Sequence, residues 1–244
     1  MATFVLVHGA FHGGWCWERL IPLLEARGHT VLAPTLPAVD TSKTAPESVV
    51  KAWGRFVANV VSQQSGGIIL VGHSRGGIVI SQAAHEVPDK ITGLVYLTAT
   101  LIPAGRSIQD VNDTIGAGIV PELELERTAD GESLLCPQDQ LTPMFYGRTS
   151  PEWVDRVRTS ISPEPIGAFL APVEFSEAAR AIPRAYIECT DDRILPLAYQ
   201  RRMQRALPCS PVLSIDSDHS PFFSAPEALA DALEDIAQAF GGTS

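Results

Sequence analysis

Apolar residues along this chain gather in six short blocks, at residues 3–8, 29–34, 67–72, 91–98, 184–190 and 211–216, each closed by turn-forming residues. The blocks are rich in Val, Ile and Leu and do not alternate with polar residues. Strands covered on both faces of a parallel sheet have this pattern. Between the blocks the apolar positions recur near every 3.6 residues. Residues 46–64 place Val49, Val50, Trp53, Phe56, Val57 and Val60 on one helical face, and residues 226–240 do the same with Leu229, Leu233 and Ile236. Residues 15–27 end at Gly28, a helix-terminating residue, and residues 78–86 predict a further helix. Strands alternating with helices predict an open α/β sheet of about six strands, mostly parallel, with right-handed crossovers.

One interval breaks the alternation. About 80 residues separate the fourth block from the fifth, a length that is seldom structureless. The interval carries Pro103, Pro121, Pro137, Pro143, Pro151, Pro163, Pro165 and Pro172. A hairpin is expected within it, from residues 122–127 to 133–136, turning at Ala129-Asp130-Gly131. Residues 103–183 are therefore read as a cap, with residues 1–102 and 184–244 forming the core domain. The cap is expected over the C-terminal edge of the sheet, where ligands bind in such folds.

The third block runs into Gly72-His73-Ser74-Arg75-Gly76-Gly77. A G-x-S-x-G turn between strand and helix holds its serine exposed above the sheet, and the glycines give the strand and helix room to approach. A serine hydroxyl is a poor nucleophile at neutral pH, so it needs a base, and the base needs an orienting acid. Of six histidines, His29 opens a strand and His85 ends a helix. His73 lies inside the turn, directed away from the hydroxyl, and His8 and His12 belong to the first loop. His219 alone follows the last strand, where the base must hang. For the acid, Asp191 and Asp192 both follow the fifth block. Asp192, four residues before Pro196, is preferred, and Asp218 is read as a loop-former. Developing negative charge on a substrate needs backbone donors. The N–H of Arg75 is one. The N–H of Ala10, in the Gly-rich loop after the first strand, is the other. His8 and His12 lack the third ligand that a metal site requires. The apolar candidates for the substrate pocket are Phe11, Leu101, Met144, Phe145 and Phe169, and Gly9 is expected to leave room for part of the substrate.

Composition narrows the class. With 244 residues, 45% hydrophobic and 19% charged, the chain is expected to pack as one large globular domain. A formal net charge of −10 argues against nucleic acid and anionic membranes as partners. No apolar run approaches the roughly 18 residues that span a bilayer. The first residues enter a strand pattern without a basic leader. Cys16, Cys136, Cys189 and Cys209 are scattered, which points to reduced, mostly buried thiols in a cytoplasmic protein. No cofactor is implied.

Four segments, "HGAFHGGWCW", "GHSRGG", "TDDRILPLAYQRRMQ" and "SDHS", resemble the α/β-hydrolase subgroup of plant methyl esterases, hydroxynitrile lyases and related bacterial esterases. The match covers both ends of the chain and the cap only loosely. The resemblance implies an α/β-hydrolase fold with Ser74, Asp192 and His219 as nucleophile, acid and base, and Ala10 and Arg75 as oxyanion donors. It admits a homodimer. The activity it implies is hydrolysis of small to medium apolar esters. Hydroxynitrile lyase, lactonase and thioesterase activities, or a non-catalytic receptor, stand as alternatives on the same fold. Two positions depart from the plant pattern. Arg75 is charged where plant members carry a smaller or apolar residue, and a salt bridge to an acidic cap residue is expected for it. Ser220 follows His219 where plant esterases carry an apolar residue; the lyases instead have lysine there, threonine in the place of Gly9 and glutamate in the place of His73.

Overall fold

The computed structural model describes residues 1–40 and 43–241. In chain order the core begins with β1 (Thr3–Val7), a 3-10 turn at Gly14–Trp17, α1 (Ile21–Glu25) and β2 (Thr30–Leu32). It continues with α2 (Val49–Ser62), β3 (Ile68–His73), α3 (Gly76–Glu86) and β4 (Ile91–Leu97). The segment that follows holds α4 (Ile108–Thr114), β5 (Glu126–Arg127), β6 (Ser133–Leu135), α5 (Gln138–Phe145), α6 (Pro151–Arg158), β7 (Glu164–Pro165), α7 (Gly167–Leu170) and α8 (Glu177–Arg180). The chain then returns to the core through β8 (Arg184–Cys189), α9 (Leu197–Ala206), β9 (Val212–Ile215), α10 (Pro221–Ser224) and α11 (Pro226–Gly241).

The main sheet has the order β2-β1-β3-β4-β8-β9, and every pairing in it is parallel. Side chains on a strand alternate between faces, and two separate apolar clusters form as a result. Val5, Val7, Ile68 and Leu70 pack with Ile78, Val79 and Ile80 of α3 on one side. Phe4, Leu6, Ile69 and Val71 pack with Trp17, Leu24, Leu229 and Leu233 on the other. Each of these fully buried aliphatic side chains contributes about 1.5–3 kcal/mol through burial. β3 lies inside the sheet and is buried throughout, so its C-terminal end is a rigid platform.

Three local expectations are corrected. The first helix does not run through residues 15–27. It divides into the 3-10 turn and α1, which opens with Pro22 in its first turn, a residue without an N–H for a preceding helical turn to bind. The helix after the serine starts at Gly76, two residues earlier than the expected residue 78. β2 and β9 are not buried on both faces; they are the sheet edges and are part-exposed, with Val212 at 42%.

The predicted hairpin is present as antiparallel β5 and β6, joined by β7 into a small second sheet. All four cysteines are free, three of them buried. No helix among the described residues is long and apolar enough to cross a membrane.

Candidate active site

Ser74 leaves β3 with φ 52°, a left-handed backbone that a serine seldom adopts. The strain is held from two sides. Ser74 N–H donates to the Leu97 carbonyl at 3.3 Å, and its own carbonyl accepts from Gly77 and Thr100 N–H groups at 3.0 Å each. At Gly76 a side chain is excluded outright: a Cβ would lie 2.6 Å from the Val7 carbonyl oxygen in β1. The turn is therefore wedged between two strands and a helix, and the positive end of α3 faces it.

Asp192 and His219 meet at the C-terminal ends of β8 and β9. His219 Nδ1 lies 2.7 Å from Asp192 Oδ2, with both side chains fully buried. Asp192 Oδ1 accepts the Ile194 and Leu195 N–H groups at 2.7 and 2.8 Å, and Thr98 Oγ1 donates to Oδ2. The carboxylate thus has every lone-pair direction engaged, and the imidazole is held in the tautomer that carries its proton on Nδ1. His219 Nε2 is buried and has no hydrogen-bond partner; no hydrogen bond joins it to Ser74 Oγ. Its ring lies 4.7 Å from that of His73, the residue preceding Ser74.

The competing acids are separated by the structure. Asp191 is exposed. Asp218 is buried and holds its loop: Oδ1 accepts from Ser220 N–H at 3.0 Å and Ser224 Oγ at 2.7 Å, and Oδ2 from Arg148 N–H at 2.8 Å and Thr149 Oγ1 at 3.2 Å.

The loop after β1 approaches Ser74 closely. A Cβ on Gly9 would lie 2.8 Å from His73 Nδ1 and 2.9 Å from Ser74 Cβ. The room expected at Gly9 is thus taken by the serine turn and is not left to a ligand. Phe11 is left-handed, with φ 66°. His8 and His12 are engaged with the backbone. His8 donates from Nδ1 to the Gly9 carbonyl at 2.9 Å and accepts Leu36 N–H at 3.0 Å. His12 donates from Nδ1 to the Ala10 carbonyl at 2.6 Å and accepts from the Tyr146 hydroxyl on Nε2. Burial, before all other causes, pushes His8 down to about 3 and His12 down to about 4, and it lowers His73 as well. All three rings are neutral near pH 7.

Arg75 meets the acidic partner expected of it. Its Nε is 2.8 Å from Glu164 Oε1 in β7, with both side chains almost entirely buried. Burial works against both charges, lowering the arginine and raising the carboxyl, while their mutual attraction opposes this.

The pocket candidates divide. Phe11 and Phe145 meet edge to face with ring centroids 6.2 Å apart, and Phe145 meets His219 at 5.5 Å. Met144 packs part-buried against the same cluster. Phe169 touches both clusters, whereas Leu101 lies in the cluster on the α3 side, away from Phe11 and Phe145.

Several contributors were absent from the reading of the sequence. Thr98, with φ 34°, is one of the described non-glycine residues with positive φ; the others are Phe11 and Ser74, so left-handed backbone marks this site. Glu164 was foreshadowed only by the need of Arg75 for a counter-charge. Tyr146 gave no signal beyond its residue type, and the bond that His73, placed in the turn from the sequence, makes to the His219 carbonyl gave none.

Comparison with known proteins identifies the family. The sequence pattern of the alpha/beta hydrolase family matches residues 4–232. The chain is 36% identical to a pyrethroid hydrolase of Sphingobium wenxiniae, over 98% of this chain and 89% of that protein. It is 32% identical to methylesterase 2 of Arabidopsis thaliana, over 97% of this chain and 96% of that one. The crystal structure of a pyrethroid hydrolase from Sphingobium faniae superposes with a TM-score of 0.78 at 31% identity, covering 98% of both chains. These relatives are ester hydrolases on one fold, and the chain belongs to the alpha/beta hydrolase family.

Proposed function

We propose that this protein is a serine carboxylesterase acting on small to medium apolar esters through an acyl-enzyme. One observation carries the reading: His219 is bonded through Nδ1 to a buried, fully satisfied carboxylate, while its Nε2 is left without a partner next to the strained turn of Ser74. Ser74 Oγ attacks the ester carbonyl and passes its proton to His219 Nε2, and Asp192 stabilises the imidazolium that forms. The carbonyl oxygen, now an anion, accepts hydrogen bonds from the N–H groups of Ala10 and Arg75. His219 returns the proton to the departing alcohol. A water molecule then repeats the sequence on the acyl-enzyme and releases the acid. The apolar rings of Phe145, beside His219, and of Phe11, packed on Phe145, favour an apolar acyl or alcohol group. A pyrethroid hydrolase and methylesterases among the relatives support ester cleavage.

Ser74→Ala tests the reading. Its kcat on p-nitrophenyl butyrate should fall about 10⁴-fold with the fold intact, and a fluorophosphonate should label Ser74 in the wild type. A folded Ser74→Ala protein that keeps a tenth of the activity refutes it. Mandelonitrile is the contrasting substrate. No cation follows His219, since Ser220 stands there, and the space at Gly9 is filled. Cyanide release at pH 5 should not exceed the Ser74→Ala background; release comparable with ester turnover favours the lyase instead.

A further inference from the structure

The Arg75 side chain does more than neutralise a buried charge. Its Nη2 donates to the Gly9 carbonyl oxygen at 3.0 Å, and His8 Nδ1 donates to the same oxygen. That carbonyl belongs to the peptide unit whose other end is the N–H of Ala10. A trans peptide is planar, with C=O and N–H pointing to opposite sides. Holding the Gly9 oxygen therefore fixes the direction in which the Ala10 N–H points. A cation on the carbonyl also polarises the amide and strengthens the N–H as a donor.

Glu164 completes the arrangement. Oε1 pairs with Arg75 Nε, and Oε2 accepts the Phe11 N–H at 3.1 Å. Two residues earlier, the Ser162 N–H donates to the Phe11 carbonyl at 3.0 Å. Phe11 is thus held at both its polar backbone groups by the segment inserted between β4 and β8, in the left-handed conformation that it would not choose alone. The Arg75 guanidinium is packed 4.4 Å from the Trp53 ring, which limits its swing. Pro163 and Pro165 flank Glu164 and restrict its backbone.

We propose that Arg75 and Glu164 are positioning residues for the oxyanion hole: the guanidinium orients the Gly9–Ala10 peptide toward the developing oxyanion, and Glu164 makes that alignment depend on the inserted segment being docked. The proposal rests on the esterase reading above. It gives Arg75 two tasks, one through its own N–H and one through its side chain. It also explains why a buried ion pair sits here, where an apolar pair of similar size would be at least as stable.

Three variants test it: Arg75→Leu, Glu164→Gln and the double variant Arg75→Leu/Glu164→Leu. Arg75→Leu leaves Glu164 buried without a counter-charge, so its kcat is read against that of the double variant. The double variant removes both charges and should melt close to the wild type. Its kcat should nevertheless be about 10²-fold lower, with KM within a few-fold, because the loss falls on the transition state. Its affinity for a trifluoromethyl ketone, which forms an oxyanion on Ser74, should fall by the same factor as kcat/KM. Glu164→Gln, which keeps an acceptor for the Phe11 N–H, should lose about 10-fold in kcat, in line with a partial misalignment. A double variant with wild-type stability and wild-type kcat overturns the proposal, as does full activity of Glu164→Gln if the double variant does not fold. Ser74-dependent turnover by the wild type separates the two levels. Without it the esterase reading falls and takes this proposal with it. With it, a fully active variant refutes the positioning role alone.

Discussion

His73 donates its Nε2–H to the backbone carbonyl of His219 at 2.7 Å, so the residue before the serine holds the main chain of the proposed base. The two strands that carry them, β3 and β9, are not neighbours in the sheet, and this bond bridges their loops. Burial keeps the His73 ring neutral. His73→Leu removes the donor while filling the space. We expect kcat to fall about 10- to 100-fold through misplacement of His219, with the fluorophosphonate still labelling Ser74, only more slowly. Steady-state kinetics beside a circular-dichroism melt decides it: an unchanged kcat in a folded variant would mean that the bond is dispensable.

The two adjacent aspartates should respond very differently. Asp192 receives four hydrogen bonds in a buried setting, including that from His219, whereas Asp191 is exposed. Asp192→Asn is expected to lower kcat about 10⁴-fold, since the amide turns the imidazole to the wrong tautomer. Asp191→Asn should stay within about twofold of the wild type, as surface changes away from special features usually do. Comparable losses in the two variants would remove Asp192 from the triad.

Acid should destabilise the protein through its first loop. His8 and His12 are pushed down to about 3 and about 4 in the folded chain, but in the unfolded chain they take up protons near pH 6.5. Below that pH the unfolded chain binds more protons, so stability falls as pH drops from about 6.5 toward 4, and these groups contribute no pH dependence above about 7. Each costs about 2 kcal/mol at pH 5. The difference in urea midpoint between pH 7.5 and pH 5 should be smaller for His12→Gln than for the wild type. An identical difference would show that His12 does not report this linkage.

The main sheet could be read from the chain because its inner strands, β1, β3, β4 and β8, are apolar on both faces, and a pattern of that kind has few other uses. Ser74, Asp192 and His219 were readable for a different reason: each lies just after a strand, so a strand count also locates the loops that must converge. The first helix was misread because apolar spacing through Trp15, Trp17 and Leu20 continues across a segment that the backbone divides. Gly9 was misread because glycine signals close approach without saying what approaches, and here it is the serine turn. Glu164 lies 89 positions beyond Arg75 in the sequence, in a short strand with no apolar rhythm. Its partner is fixed by tertiary docking alone, which no local pattern encodes.

The inserted segment is stitched to the site at separate points. Tyr146 bonds His12, Arg148 and Thr149 bond Asp218, and Ser162 with Glu164 holds Phe11. These stitches divide the segment into fixed knots and free spans. Met144, Phe145 and Phe169 face the apolar clusters and take no part in the bonds at the knots. On the proposed esterase reading, exchange of such residues with the knots kept should alter which ester is accepted. Variation that spares positions 146, 148, 149, 162 and 164 should then shift selectivity, whereas variation at those positions should loosen the loops that hold the proposed base and oxyanion donors.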